Sequence, residues 1–318
     1  MRLFIWGISF NSGYHSYNRF MDSRRRALLA AVGASFVTPA FSADKNTIHV
    51  KNIPSTGERL PVIGVGTWQT FDVGADAAAR KDLREVLQLL DGNMVDSSPM
   101  YGSSESVAGE LIAGLGMRAR LFVATKVWTS GRAEGERQIE ESFQRLRVQK
   151  MDLLQVHNLV DVATQTQTLM DMKKQGRVRY IGITHYTSSA YPEVERWLKS
   201  RKYDFLQINY SLGEHEAEDR LLPLAKDLDV AVIANRPFAE GALFRKTKGK
   251  PLPAWAAEIG VQSWAQYFLK WIVSHPAVTC AIPGTGNPAH MRDNLGAGQG
   301  ALPDAATRAK MRQYFDSL

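Results

Sequence analysis

A single cysteine, Cys280, stands in a chain of 318 residues. That count excludes an intramolecular disulfide and any cysteine-rich metal site, and no metal site is expected. Its setting, Val278-Thr-Cys-Ala-Ile282, reads as a buried strand in which a small thiol packs rather than reacts. Beyond the N-terminal region no run of eighteen apolar residues occurs, so an integral membrane domain is not expected. Low-complexity tracts are missing as well. Nor is there a basic stripe interleaved with aromatics, the footprint of a nucleic-acid binder. The formal net charge of +7 points toward nucleic acid only at first sight. Residues 1–43 hold Arg2, Arg19, Arg24, Arg25 and Arg26 against Asp22 alone, and the remainder has 34 basic and 31 acidic residues, a net charge of +3. No nucleic-acid partner is expected.

What is present begins with a leader-like segment. Residues 1–20 make no coherent element, but Ser23-Arg-Arg-Arg26 precedes an apolar stretch from Ala27 to Phe41 that closes on Ala40-Phe-Ser42. Basic, apolar and small residues in that order describe an export signal, with cleavage expected near Ala43 or Asp44. Paired arginines after a serine give it a twin-arginine character, although Ala27 stands where an aromatic often follows the pair. Residues 1–43 are therefore expected to be an export signal, residues 1–20 being either an N-terminal extension or a mis-assigned start. The export machinery is then a partner and the periplasm, or the exterior, the destination. A basic amphipathic helix or a retained anchor is the other reading, and the chain would be cytoplasmic if 1–43 were no signal.

Over 44–318 short β-branched runs alternate with longer helix-period segments. Strands are expected over Val62–Thr67, Asn93–Asp96, Leu121–Lys126, Asp152–His157, Arg179–Thr184, Phe205–Asn209, Val230–Ala234 and Val278–Ile282. Helices are expected near 76–91, 104–114, 134–147, 162–175, 190–199, 216–228 and 262–274, with a last one over Pro303–Leu318. Continuous apolar strands separated by helices imply parallel pairing with both faces covered. Eight such units in one chain of this length fit an α/β fold, a single (β/α)8 barrel. An open doubly wound sheet is the alternative, but Gly64-Val-Gly66 lacks the third glycine and the helix start that its nucleotide turn requires. The segment Ala239–Trp255 has no clear period and is expected to be a long loop over the rim.

Polar residues close three successive strands. Asp96 ends the second, with Tyr101 on the loop beyond it; Lys126 ends the third and His157 the fourth. A free phenol ionises near pH 10 and is a sluggish acid at neutrality. A nearby ammonium lowers that value by favouring the phenolate. Lys126 is expected to act so on Tyr101, Asp96 to keep Lys126 charged, and His157 to donate to a carbonyl oxygen. Singly, each has an ordinary structural reading: a strand-end cap, a packed ring, a solvated lysine, a satisfied histidine. In sequence at three strand ends they resemble the catalytic tetrad of the aldo-keto reductases. The loop Asp96-Ser-Ser-Pro-Met-Tyr101-Gly and the strand end Thr125-Lys126-Val-Trp128 match that family closely, and the likeness runs from about Leu60 to about Asn294.

The resemblance implies an NADP(H)-dependent reduction of a small-molecule aldehyde or ketone by a monomer. Trp68, Trp128 and Phe238 would wall an apolar pocket, and Thr67, Thr184, His185 and Gln207 would receive the nicotinamide end. The adenosine-phosphate segment would be Gly284, Thr285, Asn287, His290, Asp293 and Asn294, which by itself also reads as a turn and helix cap. Two departures stand out. Asn235-Arg-Pro-Phe238 replaces the family's common Tyr-Ser-Pro-Leu, so the ring under the nicotinamide is absent and Arg236 is left either to a pyrophosphate or to Glu240. His290 stands where an arginine often clamps the 2′-phosphate. A non-catalytic barrel that binds nucleotide as a sensor or partner subunit is the other functional reading.

Overall fold

In the computed structural model residues 48–200 and 203–318 are described; the export signal expected over 1–43 lies outside them. The chain enters through a hairpin that the sequence did not announce, β1 (Val50–Asn52) antiparallel to β2 (Arg59–Pro61). Eight parallel strands follow: β3 (Val65–Gly66), β4 (Met94–Asp96), β5 (Phe122–Val127), β6 (Met151–His157), β7 (Val178–Thr184), β8 (Phe205–Asn209), β9 (Ala231–Asn235) and β10 (Val278–Ala281). Each pairs with the next in sequence order. The parallel bridges Ile63↔Ala281 and Gly66↔Gly284 then join first strand to last. The ring is closed, as the strand-helix alternation demands, and an open sheet is excluded. β3 is shorter than expected because Val62 and Ile63 bond to the last strand instead, as in Ala281 N–H to Val62 O at 2.9 Å.

Helices α1 (Ala77–Gln88), α2 (Ser104–Gly114), α3 (Arg132–Leu146), α4 (Val162–Lys174), α5 (Tyr191–Leu198) and α6 (Leu221–Asp227) wrap the outside. The segment 239–255 is not the featureless loop expected: it contains α7 (Ala242–Thr247), too short to show a period. Then come α8 (Trp264–Val273), α9 (Pro288–Gly296) and α10 (Ala305–Asp316). The apolar faces of helices and strands form one large core, while a second, smaller core fills the barrel itself with Met94, Phe122, Leu153, Phe205 and Ile233. Hairpin residues Ile53 and Leu60 join that inner core, so the hairpin stoppers the N-terminal end of the barrel. Its seat is polar at the edge: Arg179 bridges Glu58 and, at 2.8 Å, Asp152. The other end, where the strands finish, is left open for chemistry.

Candidate active site

Asp96, Lys126 and His157 lie at the C-terminal ends of β4, β5 and β6, all buried. Tyr101 reaches them from the loop between β4 and α2. That loop is shaped by Gly102, whose φ of +57° and closeness to Asp72 leave no room for a Cβ; one would sit 2.3 Å from Asp72 Oδ2. Asp72 also accepts from the Ser103 amide at 2.8 Å and the Ser103 hydroxyl at 2.7 Å, tying the Tyr101 loop to the segment before α1. The Ser103 hydroxyl is thus spent on Asp72, and the serine caps α2 through no side-chain bond of its own.

Lys126 Nζ donates to Asp96 Oδ2 at 2.6 Å and to Ser97 O at 2.7 Å. It stands 5.2 Å from the centroid of the Tyr101 ring. Burial works against the Lys126 charge, but the Asp96 carboxylate and the Tyr101 hydroxyl outweigh it and raise its pKa above the usual lysine value. The phenol differs from the expectation. Burial, opposed but not overcome by Lys126 and reinforced by Asp96, raises the Tyr101 pKa above 10 rather than lowering it. The main reason is burial of the phenol; the Asp96 carboxylate beside Lys126 adds to it by offsetting part of the ammonium's pull.

His157 packs edge-on against Tyr101, ring centroids 5.8 Å apart, and its Nδ1 lies 2.9 Å from Ser98 Oγ. Burial, helped by the positive charge of Lys126, lowers its pKa to about 2, so the ring is neutral. Two further residues complete this layer and were not singled out from the sequence: Ser98, and Gln155 on β6. Nothing in a local pattern marks either, since their partners lie 59 and 52 positions away.

Above this floor opens a cavity of about 660 Å³, and Tyr101, His157, Trp68 and Trp128 help to line it. Trp68, Trp128, Met100, Tyr186 and Phe244 form its exposed apolar rim; the last two and Met100 went unpredicted. Thr67, Thr184, Gln207, Asn235, Arg236 and Phe238 also face it. His185 does not: it stacks on Tyr186, with ring centroids 5.5 Å apart and 5° between planes. Asn235 Nδ2 donates to His185 O at 3.1 Å, while Asn235 Oδ1 is buried with no partner among the described residues. Arg236 donates to Tyr186 O at 3.0 Å and lies 3.4 Å from Glu240 and 3.6 Å from Glu214, so the structural option is occupied here. Its Nε is buried with no partner among the described residues.

A second cavity, about 390 Å³, adjoins the first and shares Phe238, Phe244 and Gly284 with it. Thr285, His290, Asp293 and Asn294, four of the residues assigned from the sequence to the adenosine-phosphate segment, line it. Asn287 does not, and three backbone amides around this helix start are already taken. Asn287 Oδ1 accepts from Ala289 N at 2.8 Å and His290 N at 3.4 Å, capping α9, while Thr285 Oγ1 accepts from Asn287 N at 3.1 Å. Asp293 is likewise engaged, accepting from Ser263 Oγ and Gln266 Nε2 at 2.6 and 2.7 Å.

Residues 62–309 match the model of the aldo/keto reductase family. The methylglyoxal reductase YeaE of Escherichia coli is 31% identical over 250 residues, 74% of this chain and 84% of that one. The NADH-specific methylglyoxal reductase of the same organism is 25% identical over 332 residues, covering 85% and 99%. Among solved structures, an aldo/keto reductase from Klebsiella pneumoniae in complex with NADP and acetate superposes with a TM-score of 0.68 at 24% identity, over 81% of this chain and 93% of that one.

Proposed function

Because the chain belongs to the aldo/keto reductase family, we propose that it is an NADP(H)-dependent oxidoreductase that reduces aldehydes or ketones to alcohols. The observation that carries this reading is the Lys126–Asp96 ion pair, buried under the Tyr101 ring on the floor of an apolar cavity. A buried ion pair of this kind contributes little net stability for the desolvation it requires. Its place beneath a phenol is what gives it a use, and that weighs against a non-catalytic binding barrel.

The residues present fit a dinucleotide. Two adjoining cavities share a wall of Phe238, Phe244 and Gly284, and the unpartnered Asn235 Oδ1 and Arg236 Nε lie in the Asn235-Arg236-Pro-Phe238 segment that borders both. Thr184 and Gln207 would meet the nicotinamide end, and Thr285, His290 and Asn294 the phosphate end. A nicotinamide bound there would supply the hydride. Tyr101 donates the proton to the oxygen that gains charge, and Lys126 stabilises the phenolate left behind. His157, neutral throughout, orients the carbonyl. Its Nδ1 is taken by Ser98; a hydroxyl donating there leaves the ring proton on Nε2, the nitrogen that remains for substrate. Trp68 and Trp128 exclude water from one side.

Tyr101→Phe tests the reading directly. It keeps the ring and removes only the donor, so kcat for a model aldehyde should fall by about 10²–10⁴-fold. Cofactor affinity should stay near wild type. Turnover retained in this variant would remove Tyr101 from the mechanism.

A further inference from the structure

Gln155 is fully buried on β6, two residues before His157. A polar amide in a barrel interior normally filled by apolar side chains calls for a reason. Its Nε2 donates to Gln207 Oε1 at 2.7 Å and, more weakly, to Asp96 Oδ1 at 3.4 Å. Gln207 Nε2 in turn donates to Asp96 Oδ2 at 3.2 Å. The three side chains come from the alternate strands β4, β6 and β8, which supply one layer of a barrel of this type. Together they close a ring of two amides and one carboxylate.

The polarity of that ring is dictated by its anion. Asp96, ion-paired with Lys126, can only accept, so both amides must turn N–H groups toward it. With Gln207 Nε2 on Asp96, Gln207 Oε1 is left facing Gln155 Nε2. Reversing either amide would set oxygen against oxygen. The leftover atom, Gln155 Oε1, is buried without a partner among the described residues, so the side chain is placed for its N–H groups and not for its own satisfaction.

Resting on the function proposed above, we infer that Gln155 is a positioning residue for the nicotinamide end of the cofactor. It locks the amide of Gln207, which lines the cavity, so that one N–H and one lone pair stay available for a carboxamide. The same carboxylate that holds Lys126 under Tyr101 therefore also sets the orientation of the cofactor-facing amide. Without Gln155, Gln207 Oε1 loses its one donor among the described residues, and the amide is held only by its 3.2 Å bond to Asp96.

The test is a binding measurement on Gln155→Met, which keeps similar length and volume but cannot donate. NADPH and 2′-phospho-ADP-ribose, which carries the adenosine phosphate but no carboxamide, are titrated against wild type, Gln155→Met, Gln207→Met and the double variant. The Kd for NADPH should rise about fivefold in Gln155→Met, the factor that one neutral hydrogen bond is worth. The Kd for 2′-phospho-ADP-ribose should not change. In the Gln207→Met background, adding Gln155→Met should alter NADPH binding by less than about twofold, because the residue acts through Gln207. Should Gln155→Met not fold, Gln155→Leu carries the same comparison. Equal binding of NADPH by variant and wild type, or equal losses for both ligands, would overturn the role. A wild-type protein that binds neither ligand would overturn the nucleotide reading, and this role with it.

Discussion

At the scale of single residues, the neutralised Lys126–Asp96 pair fixes how the acid should respond to pH. In the role proposed above Tyr101 has to carry its proton to donate it, and its pKa is raised above 10, chiefly by burial. The acid is therefore fully protonated through neutral and mildly alkaline pH and is lost only as pH rises through that raised value. His157, at about 2, adds no inflection near neutrality. Reductive kcat with saturating cofactor should be flat from about pH 6 to 9 and fall only beyond the ordinary phenol range near 10. A pH profile with a step near 7 that persists at saturation would contradict this balance. That Asp96, Tyr101, Lys126 and His157 come together was legible in the sequence, because four residue types at three strand ends form a pattern local to each strand. What the phenol experiences was not legible. The sequence names an ammonium beside it but says nothing of how much burial and how close a carboxylate come with that ammonium. Gln155 and Ser98 escaped for a related reason: a buried glutamine or serine has no signature until its distant partners are placed around it.

At the scale of elements, all eight barrel strands could be read from continuous apolar runs, with boundaries shifted by at most three residues and those of β8 unshifted. The hairpin β1–β2 could not, since three-residue strands are too short to show alternation. The six-residue α7 was missed for the same reason. The start of α9 shows how one side chain can answer to two readings. Asn287 and Pro288 mark a helix start, and the amides there look free for a phosphate; in the fold the Asn287 side chain has already claimed two of them. Asn287→Ala should thus lower stability by about 1 kcal/mol, the usual worth of a side-chain cap, in urea denaturation. It should weaken cofactor binding little, if Asn287 serves the helix and not the ligand. A large loss of affinity with unchanged stability would reverse that assignment.

At the scale of the whole molecule, three histidines are held neutral by burial, and this gives the barrel an acid weakness. His157 is lowered to about 2 and His275 to about 4, and His185 is lowered as well. An unfolded chain protonates these histidines near pH 6.5, whereas the native chain keeps His157 and His275 neutral to much lower pH. Above 6.5 neither state gains a proton and nothing is lost; as pH falls below it, the unfolded state is favoured progressively. For the almost completely buried His157 the loss amounts to about 1.4 kcal/mol per pH unit. Unfolding free energies measured from pH 7 to 4.5 should therefore fall less steeply in His157→Gln than in wild type. Parallel slopes would show that His157 takes up a proton in the folded state.

The seam that closes the ring has a meaning in time as well as in space. Thr67 and Trp68 follow the first barrel strand, and Gly284 and Thr285 follow the last; Gly66 and Gly284 are neighbours across the join. More than two hundred residues separate the two sides. On a ribosome the early side emerges long before the late one, and a nascent chain that stops short of β10 has neither a closed ring nor the second cavity. The site is thus a product of completed synthesis. A cofactor can be captured only after the last strand has been made and has found the first.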